Sequence, residues 1–317
     1  MPLPMGQHCD GRGGACAASR HIRSTVFWCL DAAPMLAHRP FVKMNGLGNE
    51  ILVLDLRHEP EDVPAAAARA LARPGVLPFD QAMVLYPPRR ADTAAFVRIL
   101  NSDGSESGAC GNGTRCIAAY EAGRIGERHV LFESAAGLLD CVMQPDGQVT
   151  VDMGAPRLGW DAIPLARPVA DTSAVQIEGF ASLGPASMVS MGNPHAVFFV
   201  PDANAVDVEA LGATLEHHPL FPERANISFA QVLSPDHILL HVWERGAGRT
   251  RACGTAACAT GVSTARTGRT GRKVRVTLPG GDLVIDWRAS DGHVLMTGPV
   301  ALEFTGTLTS DMITEAA

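Results

Sequence analysis

Asn101-Ser-Asp-Gly-Ser-Glu-Ser-Gly-Ala-Cys110-Gly-Asn-Gly-Thr-Arg-Cys116 and Glu244-Arg-Gly-Ala-Gly-Arg-Thr-Arg-Ala-Cys253-Gly-Thr255 are the stretches whose reading decides the fold. Ala109-Cys110-Gly111 returns as Ala252-Cys253-Gly254, 143 residues later. Asn101 lies nine residues before the first of these cysteines and Glu244 nine before the second. Gly48-Asn49 returns as Gly192-Asn193, 144 residues later. A strand running into a polar loop, a cysteine and then a small-residue helix therefore occurs twice. Self-similarity at a fixed offset points to an ancient duplication with cysteines in equivalent places.

Working outward, apolar runs and turn residues predict short strands with intervening helices, an α/β chain in two halves. In the first half strands are expected over Ile51–Leu56, Ala94–Leu100, His129–Phe132, Leu138–Met143 and Val149–Met153, with helices over Pro64–Arg73 and over Asn112–Ala122, ended by Gly123. The Pro-rich stretch Ala155–Pro168 reads as a crossover. In the second half strands are expected over Ser187–Ser190, Ala196–Val200, Ile227–Leu233, Ile238–Glu244, Val274–Leu278, Asp282–Trp287 and His293–Thr297, with helices over Val208–Glu216 and Thr255–Arg266.

The 317 residues are 46% apolar and 19% charged, enough for two ordinary cores and against disorder over most of the length. No apolar run reaches the roughly 18 residues of a membrane helix, so no membrane association is expected. A net charge of −7 with scattered Lys and Arg does not favour nucleic acid. Lys43 and Lys273 are the only lysines, which leaves two choices for a Schiff-base anchor and disfavours pyridoxal chemistry. Residues 1–40 carry four arginines against two aspartates, with Cys9, Cys16 and Cys29. They read as an extension outside the fold. They lack the pattern of a good signal peptide, so a cytoplasmic protein is expected; translation from Met35 is the favoured reading, and sparse acids leave organelle targeting open.

Two cysteines on opposite sides of one ligand suit inversion of a carbon stereocentre without a cofactor, which needs a base on one face and an acid on the other. Each of Cys110 and Cys253 precedes a helix, whose leading N–H groups carry partial positive charge, favour thiolate and can hold a substrate carboxylate. Gly111 and Gly254 let that carboxylate approach the backbone. Taken singly, a cysteine is more often a buried packing residue, and Cys116, Cys141 and Cys258 are read that way. The spacings Cys-x5-Cys and Cys-x4-Cys are not zinc knuckles, and Asn101–Glu106 lacks the sixth-position glycine of a calcium loop, so no metal is expected. Gly46-Leu-Gly48 is too short for a dinucleotide fingerprint. His195 in Gly-Asn-Pro-His could be a turn residue, whereas Glu244-Arg245 beside a Gly-rich loop is read as facing a ligand.

Four separated motifs also carry a resemblance: Phe41-Val-Lys-Met-Asn-Gly-Leu-Gly-Asn49, Asn101 to Cys116, Met191-Gly-Asn-Pro-His195, and Glu244 to Thr255. In that order, from about Phe41 to about Gly298, the chain resembles diaminopimelate epimerase. The resemblance implies two pseudo-symmetric domains, each a curled, mostly antiparallel sheet around a central helix, with residues 41–154 plus 299–317 in one and 155–298 in the other. It implies no cofactor, diaminopimelate as substrate in the cleft between the domains, and a homodimer. Cys110 and Cys253 would be the acid–base thiols, with His195 and Glu244 assisting. Gly111, Asn112, Gly254 and Thr255 would hold the reacting carboxylate, and Asn49, Gln81, Asn101, Asn193, Asn226 and Arg245 the rest of the substrate, with Arg245 on the distal carboxylate. Glu50, Ala256 and Ile227-Ser228 depart from the usual pattern, which bears on substrate breadth. The competing readings are a same-fold racemase of another amino acid, a Cys110/His195 thiol hydrolase, and a redox or binding module; none of them uses both the duplicated cysteine and the distal polar residues.

Overall fold

The computed structural model describes residues 36–314, so the extension expected over residues 1–40, with Cys9, Cys16 and Cys29, falls outside the described residues as far as residue 35. The fold begins earlier than Phe41. Leu36 is buried among Phe41, Leu54 and Leu308, the His38 N–H donates to the Leu308 carbonyl at 2.8 Å, and the first strand starts at Pro40.

The first repeat contains β1 (Pro40–Gly46), β2 (Asn49–Asp55), α1 (Ala65–Ala72), β3 (Gln81–Tyr86), β4 (Phe96–Asn101), β5 (Glu106–Ser107), α2 (Gly111–Ile125), β6 (His129–Ser134), β7 (Gly137–Met143) and β8 (Val149–Asp152). The second contains β9 (Ala186–Ser190), β10 (Pro194–Phe199), α3 (Val208–Glu216), β11 (Asn226–Ser234), β12 (His237–Glu244), β13 (Gly248–Arg249), α4 (Gly254–Arg266), β14 (Lys273–Leu278), β15 (Gly281–Trp287) and β16 (Val294–Gly298). A last strand, β17 (Ala301–Thr307), returns to pair with β1.

The pairings repeat element for element. β1–β2 and β9–β10 are antiparallel, β2–β3 and β10–β11 parallel, and β3–β4 and β11–β12 antiparallel. β4–β6 and β12–β14 are parallel, and each half closes on an antiparallel meander, β6-β7-β8 or β14-β15-β16. β8 and β16, the equivalent strands, pair antiparallel with each other and join the halves.

Each sheet curls around one helix. α2 touches β1, β2, β3, β6, β7 and β8, and α4 touches β9, β10, β11, β14, β15 and β16. Small side chains make this enclosure feasible: α4 reads Gly-Thr-Ala-Ala-Cys-Ala-Thr-Gly-Val-Ser-Thr-Ala-Arg and is buried on nearly every side. A Cβ on Gly261 would stand 2.8 Å from Ile285 Cγ2, so the sheet comes closer there than any larger residue allows. Cys116 and Ile117 of α2 pack with Met83 and Phe132, and Cys258 and Val262 of α4 with Leu240 and Ile285. α1 and α3 cover the outer faces of the sheets, against Leu54 and Val84 in one half and Phe198 and Phe229 in the other. Fully burying one such phenylalanine contributes about 2 kcal/mol.

One expected boundary moves, and strands appear where none was expected, among them β3 and β17. α2 runs past Gly123, which has open space around it, and stops at Gly126, whose φ of 77° suits glycine at a helix C-terminus. β3 carries no turn-bounded alternation because its central residues are buried on both faces, which leaves an undiagnostic apolar run. β17 was not expected either; most of its side chains are exposed, so burial imposes no apolar pattern on it.

Candidate active site

The site residues stand at matching strand ends. β2 opens at Asn49, β3 opens at Gln81 and β4 closes at Asn101, with Gln81 and Asn101 paired in register. In the second repeat Asn193 directly precedes β10, β11 opens at Asn226 and β12 closes at Glu244, one step in register beyond Ile227 and Trp243. Asn101 and Glu244 thus occupy equivalent places, and the substitution of a carboxylate for an amide breaks the symmetry between the halves.

Cys110 and Cys253 are the residues immediately before α2 and α4, both with extended backbones (φ −146° and −126°), while the next residue is already helical. The first N–H groups of a helix have no intrahelical acceptor, so each cysteine sits beside a cluster of amide donors. The Gly113 N–H donates to Cys110 Sγ at 3.2 Å. The Cys110 thiol also faces Gln81 Oε1 at 3.6 Å and Asn49 Oδ1 at 3.8 Å, and Gln81 Nε2 donates to Asn101 Oδ1 at 3.4 Å. Asn49 is in turn held by Asp80, which accepts from its Nδ2 at 3.0 Å and from the Glu50 N–H at 2.7 Å.

Cys253 lies 3.5 Å from Thr255 Oγ1, which accepts from Asn193 Nδ2 at 3.4 Å, while Asn193 Oδ1 lies 2.9 Å from His195 Nε2. His195 is fully buried, and its Nδ1 has no partner among the described residues. Burial, with the Arg245 charge adding to it, holds this imidazole down to about 3, so it is neutral at ordinary pH. With Asn193 as acceptor Nε2 carries the proton and Nδ1 keeps a lone pair.

The two halves of the site meet. Asn112 Nδ2 donates to the Ala252 carbonyl at 3.4 Å, directly before Cys253. Met296 caps the junction: a Cβ on Gly111 would meet its Cε at 2.7 Å and one on Gly254 its Sδ at 2.9 Å. Glu244 acts on both sulfurs, through a hydrogen bond with Cys253 and through its charge on Cys110.

Burial raises the Cys110 thiol to about 11 despite the Gly113 amide and the Arg115 charge, which pull the other way. Burial, then the adjacent Glu244 carboxylate, holds the Cys253 thiol well above its ordinary value. Glu244 is itself raised by burial. The helix-terminal amides alone would favour thiolate; desolvation outweighs them, and both sulfurs are protonated.

Arg245 has its backbone N–H on Asn226 Oδ1 at 3.0 Å and its Nη1 on the Glu223 carbonyl at 3.0 Å, and Asn226 Nδ2 donates to the Pro194 carbonyl at 3.0 Å. Of the departures from the usual pattern, Glu50 turns its carboxylate to Lys43 Nζ at 2.5 Å, Ala256 is buried in the first turn of α4, and Ile227 and Ser228 are buried in β11. Cys116, Cys141 and Cys258 are buried in the cores. Among the described residues no group of three or more His, Cys, Asp or Glu side chains could hold a metal ion, and no helix is long and apolar enough to cross a membrane. Sequence reasoning missed Asp80, Met296 and Thr250, whose hydroxyl donates to the Glu244 carboxylate. Asp80 stands next to Gln81 and Thr250 lies within the Glu244–Thr255 motif, whereas Met296 carried no signal that could have marked it.

Comparison with known proteins gives a consistent picture. The family described as diaminopimelate epimerase matches residues 41–159 and 187–303. Diaminopimelate epimerase of Afipia carboxidovorans is 52% identical over 292 residues, covering 89% of this chain and 99% of that relative. The Rhodospirillum centenum protein of the same name is 56% identical over 276 residues, covering 87% and 94%. Among solved structures, a hydroxyproline epimerase from Agrobacterium vitis superposes with a TM-score of 0.63 at 17% identity, covering 87% of this chain and 93% of that one. A PhzF-family phenazine biosynthesis protein from Bacillus anthracis gives 0.61 at 16% identity, covering 85% and 98%. At such identities these two speak for the fold alone.

Proposed function

This chain belongs to the diaminopimelate epimerase family, and from that premise we propose that Cys110 and Cys253 are the acid–base pair with which it inverts one α-carbon of diaminopimelate. The enzyme is an isomerase that interconverts LL- and meso-diaminopimelate, a step of lysine biosynthesis. One sulfur, as thiolate, takes the α-proton while the other, as thiol, delivers a proton to the opposite face, and the roles exchange in the reverse direction. The observation that carries this assignment is the equivalent placement of the two cysteines directly before the two enclosed helices.

The leading amides at Gly111-Asn112 and Gly254-Thr255 are suited to the reacting carboxylate, where negative charge grows as the proton leaves. Glu244, hydrogen-bonded to Cys253, is placed to accept its proton and start the cycle. His195 supports the same sulfur through Asn193 and Thr255. Asn49, Gln81, Asn101, Asn193 and Asn226 present amides around the cleft, and Arg245 takes the distal carboxylate. The two thiols and the backbone amides supply the proton transfers and the charge stabilisation, so the scheme draws on no cofactor or metal.

The repeats are read as two domains, residues 41–154 with 299–317 and residues 155–298, the first of them extended back to Leu36 by its packing on Leu54 and Leu308. A homodimer is supported by the exposed Leu302 and Phe304 on β17, 63% and 49% accessible, an apolar pair on a strand that lies beside β1. The enzyme acts on a small molecule in the cytoplasm, apart from membrane and nucleic acid.

Incubation with LL-diaminopimelate in deuterated water is expected to give meso product with one solvent deuterium at the α-carbon. Cys110→Ala and Cys253→Ala are each expected to abolish epimerisation. Full activity in either variant would refute the two-base assignment.

A further inference from the structure

Glu216, the last residue of α3, is a buried carboxylate outside the set of groups assigned above, 3% exposed. It accepts three hydrogen bonds: from Trp243 Nε1 at 2.7 Å, from the Gly246 N–H at 2.9 Å and from Arg224 Nη1 at 3.3 Å. Trp243 and Gly246 flank Glu244 and Arg245, so the carboxylate grips the turn on both sides of the two functional residues. The turn closes on itself through the Ala247 N–H and the Glu244 carbonyl at 3.1 Å.

Arg224 belongs to the other segment that holds Arg245. Its neighbour Glu223 offers the carbonyl that accepts from Arg245 Nη1, and Arg224 itself is in the left-handed region with φ 61°. That conformation is uncommon for a side-chain-bearing residue and persists only where surrounding contacts hold it. Glu216 therefore binds together the turn that carries the Arg245 backbone and the loop that receives its guanidinium. Trp243 fits the same scheme: its side chain lies where a Cβ on Gly212 would stand, at 2.5 Å, so α3 lets the indole in at the one turn where Glu216 can reach it.

We propose that Glu216 is a positioning residue that aims Arg245, and so governs affinity for a substrate with a second carboxylate. The inference rests on the reading of Arg245 in the preceding subsection. A buried carboxylate with three donors is costly to unpair, so removing its charge loosens both segments together.

The test is Glu216→Gln, which keeps the size of the side chain and replaces one acceptor oxygen with a donor. KM for LL-diaminopimelate is expected to rise about tenfold with kcat within about threefold of wild type, the loss of binding expected when one charge-assisted contact fails. Amide hydrogen exchange of the ligand-free protein is expected to quicken across residues 243–250 and to stay unchanged in α4. A merely structural role would instead speed exchange throughout and lower kcat with KM unmoved. Trp243→Phe removes only the indole donor and decides the matter if the first variant does not fold: KM rises in the same direction by a smaller factor. A KM within twofold of wild type in a folded variant overturns the proposal. If the wild-type protein does not turn over LL-diaminopimelate, the preceding reading of function fails, and unchanged exchange over residues 243–250 in Glu216→Gln would separately overturn the positioning role.

Discussion

Buried and neutral, His195 makes the stability of this protein depend on pH in a calculable way. In the fold its imidazole is held down to about 3 by burial and by the Arg245 charge, against an ordinary value of 6.5 that the unfolded chain regains. Between these two values the unfolded state binds a proton that the folded state refuses. The contribution is present in full above pH 6.5 and declines as pH falls, by about 1.4 kcal/mol per unit. From pH 7 to pH 5 the loss from this residue is therefore about 2 kcal/mol. His195→Gln removes the titration and should flatten the dependence by that amount. His241, whose imidazole is also lowered by burial, and the carboxylates titrate in both proteins and cancel in the comparison. Urea unfolding of both at pH 7, 6 and 5 measures the difference in slope, independently of any offset in absolute stability. Curves that shift in parallel within about 0.5 kcal/mol would refute the buried neutral state, as would an imidazole resonance of His195 titrating near pH 6.5.

Two further outcomes follow from the site and its supports. With Cys110 raised to about 11 from 9.0, its carboxamidomethylation in the empty enzyme should be about a hundredfold slower at pH 7 than that of an ordinary thiol. The rate should climb tenfold per pH unit to pH 10, followed by mass spectrometry of the Cys110 peptide; a plateau reached below pH 9 would contradict the desolvated thiol. Gly280→Ala would place a Cβ 2.0 Å from the Leu47 carbonyl oxygen and 3.1 Å from that of Arg251. Both contacts are backbone, so the loops leading to Asn49 and Cys253 must move. A loss of about 3 kcal/mol and a fall in Tm of roughly 5–10 °C are expected, with an unchanged Tm counting against the close approach.

Much of the architecture was legible in the chain because duplication leaves a sequence trace. The Cys-Gly tripeptides, the paired Gly-Asn motifs and the nine-residue spacing before each cysteine predicted two equivalent strand–loop–helix units, and the strand pairings repeat in that order. Helix starts were readable from the residues around Cys110 and Cys253, since small residues after an extended position are a local signal. β3 was not, because a strand buried on both faces loses the alternation that marks strands. The end of α2 was misplaced at Gly123 because a glycine in open space is compatible with a continuing helix.

What the sequence by itself determined is the chemistry available: two equivalent thiols before helices, amide side chains at matching places, and a carboxylate in one half where the other has an amide. The tertiary structure alone decided the state and support of those groups. Helix amides favour thiolate, yet burial keeps both sulfurs protonated, and desolvation depends on what surrounds an atom rather than on its neighbours in the chain. Asp80 holding Asn49, Met296 between Gly111 and Gly254, and Glu216 gripping the Arg245 turn join residues that are up to 185 positions apart. Such contacts leave no periodicity or motif, because a hydrogen bond or a packing contact constrains distance in space and is indifferent to separation along the chain.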